Sequence, residues 1–114
     1  MARRALVVTV TGLLLAGTLV LAGQARSYNK PIEVTWDEAV KAVRDAELYV
    51  SDSNRSDHWF VMRTKRKGGY EMRVTLFGTE QQATVQVDAV DPGDSERSEK
   101  HIRRFLDALD RRLD

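Results

Sequence analysis

At 114 residues the chain has room for one domain. An apolar fraction of 42% beside a charged fraction of 31% excludes a disordered tail or a low-complexity chain. The absence of cysteine excludes disulfides, thiolate metal sites, cysteine nucleophiles and lipid attachment at a cysteine.

Charge is distributed unevenly. The first 25 residues hold Arg3 and Arg4 and no acid, which leaves 16 basic against 17 acidic residues in the remainder. A near-neutral domain lacks the basic field of a nucleic-acid binder, so nucleic acid is not an expected partner.

The N-terminus reads as an export segment over residues 1–25. Arg3 and Arg4 form a short positive region, residues 5–23 carry no charge, and Gly23 and Ala25 supply the small residues of a cleavage site. The apolar run is longer than a signal peptide requires and just long enough to span a bilayer. Cleavage and retention as a transmembrane helix are therefore both open, with membrane contact through residues 5–23 if the segment is retained. In either case the positive-inside bias keeps Arg3 and Arg4 in the cytoplasm and places the remainder outside it, periplasmic or membrane-anchored.

Residues 26–31 read as a polar linker with Asn29 and Pro31, followed by the α+β domain over 32–114. Ile32, Glu33 and Val34 suggest a short first strand. Thr35 and Glu38 have the spacing of a capping box, and Trp36, Ala39, Val40, Val43 and Ala46 follow on one helical face. Leu48, Tyr49 and Val50 resume an extended segment, and the polar stretch 52–57 is a turn. Residues 58–65 and 70–77 read as strands around Lys67, Gly68 and Gly69, and residues 83–90 alternate strictly between apolar and polar. After a turn at 91–94, capped by Asp94 or Ser95, the stripe Ile102, Phe105, Leu106, Leu109 and Leu113 marks an amphipathic helix.

A three-residue loop at 67–69 puts Phe60 opposite Leu76, Met62 opposite Val74 and Thr64 opposite Met72. By extension Leu76 faces Ala83, Val74 faces Val85 and Met72 faces Val87. The expected fold is a two-layer α+β sandwich of order βαβββα. Its antiparallel sheet of three to four strands carries two helices on one face, behind the N-terminal apolar helix.

This order resembles a family of short bacterial envelope proteins, many of them lipoproteins, classed as a domain of unknown function. A similar arrangement occurs in a lipoprotein accessory of outer-membrane assembly. The resemblance covers residues 32–113. It is carried by the helix start Thr35-Trp36-Asp37-Glu38, the strand Thr84-Val85-Gln86-Val87, and Gly93-Asp94 leading through Ser98 to Ile102, Leu106 and Leu109. It implies an envelope location and this fold, and supplies no catalytic residues. The chain departs from it at Gln24, which stands where a lipid-bearing cysteine would be.

No catalytic, cofactor-binding or metal-binding set emerges. His101 lies among Arg97, Lys100, Arg103 and Arg104, a setting that repels a metal cation, and His58 has only Asp57 beside it. Serines 51, 53, 56, 95 and 98 read as turn or cap residues. The densest charge feature is the basic stretch 63–67. In the deduced register Arg63 faces Arg73 on the sheet side away from the helices, with Gln86 beside Arg73, Trp59 near Phe77, and Lys65 toward the loop. Arg63, Lys65, Arg73, Gln86, Trp59 and Phe77 are thus the expected contact for an envelope protein or for an anionic lipid or glycan. The expected role is non-catalytic, in binding or assembly. A membrane-tethered small subunit of a larger complex and a small extracytoplasmic enzyme or enzyme inhibitor are the alternatives.

Overall fold

The computed structural model describes residues 24–114. The export segment falls on residues 1–25, so all but its last two residues, Gln24 and Ala25, lies outside the described residues. Among the described residues no helix is long and apolar enough to cross a membrane.

The elements are β1 (Gln24–Tyr28), α1 (Ile32–Asp45), β2 (Leu48–Asn54), β3 (Trp59–Thr64), β4 (Glu71–Gly78), β5 (Ala83–Ala89) and α2 (Ser95–Leu113), with a short 3-10 turn at Pro92–Asp94 before α2. The sheet is five-stranded and antiparallel, in the order β1-β5-β4-β3-β2. Both helices pack on one face. The α+β class, the antiparallel sheet and the helix pair agree with the expectation, whereas the strand count does not.

The extra strand is β1, which occupies part of the expected linker. It was illegible as a strand because polar side chains hold it. Arg26 reaches over the helix-facing side to Asp107 and Asp110 of α2, at 3.2 and 2.6 Å. Tyr28 donates its hydroxyl hydrogen to Asp110 at 2.8 Å, and Ser27 bonds Thr84 across the ladder at 2.7 Å. Burial, reinforced by the bond to Asp110, pushes the Tyr28 hydroxyl well above its usual range and keeps it a donor.

Residues 32–34 are the first turn of α1 rather than a strand. Pro31 sits at the N-cap with φ −59°, where a missing N–H costs nothing. Thr35 is consequently inside the helix. It does not cap; its hydroxyl donates back to the Pro31 carbonyl at 2.9 Å. Glu38 pairs with Arg112 of α2 instead of reaching back. The buried face of α1 is Thr35, Trp36, Ala39, Ala42 and Val43, continuing to Ala46, while Val40 is 37% exposed and leaves the expected stripe. Glu47 then turns the chain into β2 with φ 64°, a left-handed conformation usually given to glycine.

The core joins these helix faces to Leu48, Phe60, Met62, Met72, Val74, Leu76, Val85 and Val87. From α2 it takes Ile102, Phe105, Leu106, Leu109 and Leu113, the expected stripe, with Ala108. An edge-to-face chain of rings, Trp36 on Phe60 and Phe60 on Phe105, ties α1, β3 and α2 together. Asp94 stands at the α2 N-cap without a side-chain capping hydrogen bond, and Asp91 accepts from Gly93 N in the preceding turn.

The faces of β3, β4 and β5 are as deduced, but each register is displaced by two residues. Phe60 pairs with Val74 and Met62 with Met72, and Leu76 pairs with Val85 and Val74 with Val87. A two-residue shift keeps every side chain on its face, so the apolar pattern cannot detect it. Local chemistry sets the actual pairing. Thr64 accepts from Tyr70 N through its side chain, at 2.9 Å, which closes a loop over 65–70 rather than 67–69. Gly68 takes the left-handed position in that loop, with φ 69°. The shift also puts Arg63 opposite Glu71 instead of a like charge.

Candidate functional site

With both helices on one side, the other side of the sheet is uncovered among the described residues. Alternation along each strand decides what it carries. β3 contributes Trp59, Val61 and Arg63, and β4 contributes Glu71, Arg73, Thr75 and Phe77. β5 adds Thr84, Gln86 and Asp88. On β2 a bulge at Ser51 re-aims the strand, so that Tyr49, Asp52 and Asn54 all join this side.

The register arranges these side chains in rows. Tyr49 lies beside Arg63 and Glu71; Asp52 beside Val61, Arg73 and Asp88; Asn54 beside Trp59, Thr75 and Gln86; and Phe77 beside Thr84. Three of the expected contacts change accordingly. Arg63 does not face Arg73: it forms an ion pair with Glu71 at 3.1 Å. Gln86 lies across from Thr75 and donates its amide hydrogen to Asp88 at 3.0 Å. Trp59 is met by Arg73, whose guanidinium carbon lies 4.3 Å from the indole centroid, whereas Phe77 sits one step farther along β4.

An arginine stacked this closely on a half-buried indole is a cation–π pair. Around it lie Val61 and the exposed rings of Phe77 and Tyr49, 53% and 43% accessible. Charge on the face is nearly balanced, with Arg63 and Arg73 against Asp52, Glu71 and Asp88. It is therefore not an anion trap. Aromatic, arginine and aliphatic side chains on a nearly neutral surface form the composition favoured at the centre of protein–protein contacts.

Lys65 lies just beyond the end of β3. It is exposed at the β3–β4 loop with Arg66 and Lys67, and the loop leans on α2, where the Tyr70 ring lies 6.1 Å from that of His101. His101 is half-buried. Burial, with Arg104, Lys100 and Arg66 around it, holds its imidazole below the usual range. Ser98, expected at a cap or turn, is fully buried on α2 with its hydroxyl unpartnered.

His58, in the turn just before β3, has φ 59° and pairs through Nε2 with Glu33 of α1 at 2.9 Å. Arg55 bridges Glu33 and Asp37 at 2.9 and 3.1 Å. Hydrogen bonds from His58 and Arg55 hold the Glu33 carboxyl below its usual range. This cluster ties the β2–β3 turn to α1, and its acids are already engaged by cations.

Val61, Tyr49, Asp52, Thr75 and Asp88 were absent from the expected contact set. Val61 and Tyr49 could have been found from the alternation of their strands alone. The β2 bulge that admits Asp52 leaves no comparable mark. Searches against protein-family models and against curated proteins give no match for this chain.

Proposed function

We propose that the chain is an exported, non-catalytic envelope protein that docks a partner protein on the open face of its sheet. The observation that carries this reading is the Arg73–Trp59 stack among Val61, Tyr49 and Phe77 on a face that no helix of the described residues covers. A protein partner is favoured over an anionic lipid or glycan because Glu71 neutralises Arg63 and acids adjoin Arg73. The export half rests on Arg3 and Arg4 before the uncharged run 5–23. Cleavage after Ala25 is compatible with the fold, since the side chains that anchor β1 are those of Arg26, Ser27 and Tyr28. The resemblance to short envelope proteins points in the same direction.

Two experiments divide the proposal. Residues 1–30 fused to a reporter active only outside the cytoplasm are expected to give activity; a silent reporter, with the fusion protein present, contradicts export. Affinity capture from the native membrane fraction with wild-type protein and with the Trp59→Ala, Arg73→Ala pair tests the face. The expected result is one partner retained by wild type and lost from the variant. Equal recovery by both contradicts the site.

A further inference from the structure

The five strands alternate in direction, so β1 enters the sheet at the end where β3 passes into β4. The uncharged run 5–23 therefore joins the domain at the end that carries the basic loop 65–67. α2 adds to the same cluster. Its residue His101 touches Tyr70 of the loop and feels Arg66, Lys100 and Arg104 together. Lys65, Arg66, Lys67, Lys100 and Arg104 form no ion pair among the described residues; of the acids at this end, Glu71, Asp94 and Glu99 are engaged by Arg63, Arg97 and Arg103, while Glu47, Asp91 and Glu96 lie at the α1–β2 turn and the start of α2. The opposite end has the reverse character. Glu33, Asp37, Asp57 and Glu80 gather at its turns and the start of α1, against Arg55 and Lys30.

We infer that the basic end of the domain lies against anionic phospholipid headgroups, on the membrane in which residues 5–23 are held. Headgroup phosphates suit this cluster because it is an exposed set of flexible cations without a shaped pocket, and such sets bind surfaces through summed charge. The acidic end then points away from the bilayer. The strands run away from the membrane, so the open sheet face stands sideways, accessible to a neighbouring membrane-bound protein. The inference rests on the export reading above, with the apolar segment retained.

The chain has no cysteine, so a single substitution carries a single spin label. Full-length Lys67→Cys, which keeps the other four cations, and Asp57→Cys at the opposite end are labelled and reconstituted into bilayers of phosphatidylcholine with or without phosphatidylglycerol. A nickel-chelating lipid reports distance from the surface. The label at 67 is expected to contact the surface only with phosphatidylglycerol and at low salt, and the label at 57 to stay remote throughout. In the Lys67→Cys background, each further replacement among Arg66→Gln, Lys100→Gln and Arg104→Gln is expected to lower the docked-to-undocked ratio about fivefold. A label at 67 no closer than that at 57 would overturn the orientation, and a label at 67 equally close on neutral bilayers would overturn the contact with anionic headgroups, each while leaving the tether intact. Failure of the full-length protein to float with neutral vesicles would overturn the tether, and the inference with it.

Discussion

Arg63 faces Glu71 across the β3–β4 ladder, at 3.1 Å and with both side chains about one-third exposed. Opposite charges so placed contribute roughly 0.2–1 kcal/mol, and like charges cost a similar amount. Arg63→Ala is therefore expected to destabilise slightly, whereas a ladder with Arg63 against Arg73 would gain stability from the same change. The urea midpoint distinguishes the two registers. Phe105, fully buried between the sheet and α1, is worth far more. Phe105→Ala is expected to cost about 3–5 kcal/mol, and an unchanged midpoint would mean that α2 does not pack as described. His101 adds a pH dependence. Its folded-state pKa is depressed, so below the ordinary value the unfolded chain takes up a proton that the folded chain resists. The contribution is fully present above about pH 6.5 and declines as pH falls through that value toward the folded-state pKa. His101→Gln is expected to flatten the stability profile in this window; an unaltered profile would mean that His101 is solvated.

At the scale of elements, strong apolar periodicity was legible and polar anchoring was not. The stripe of α2 and the alternation of β5 each appear in the structure with the residues their spacing marked. β1 escaped because its anchors are Arg26, Ser27 and Tyr28, whose partners Asp107, Asp110 and Thr84 are distant in sequence. The start of α1 was misread for a different reason. Thr35 and Glu38 fit a capping box by spacing, yet Pro31 begins the helix a turn earlier and turns Thr35 inward. Of the expected contact residues, Trp59, Arg63, Arg73, Phe77 and Gln86 do share the open face, since period two alone places them there. Their neighbours were wrong because period two is blind to a shift of two. The β1 anchor makes its own prediction. Asp110→Ala strands the buried Tyr28 hydroxyl and half of the Arg26 pairing, and is expected to cost about 1–3 kcal/mol in chemical denaturation. No loss would mean that β1 contributes little to the fold.

At the scale of the molecule, the two sides of the sheet divide the work. One side is spent on the core, where α1 and α2 cover it. The other keeps Trp59, Val61, Arg73, Phe77 and Tyr49 at the surface with nothing from the chain over them among the described residues. Burying one such ring in a contact is worth more than the modest stability its exposure forgoes, which fits a surface kept for association. On the proposal above, this face, and not the helix face, meets a partner. Thr75 lies in the middle of the open face, next to Trp59, and Arg103 is exposed on the far side of α2. A photo-crosslinking residue placed at each position in the full-length protein, in cells that naturally make it, tests the claim most directly. One discrete adduct is expected from position 75, abolished by Arg73→Ala, and none from position 103. No adduct at 75, or the same adduct from both positions, would contradict it.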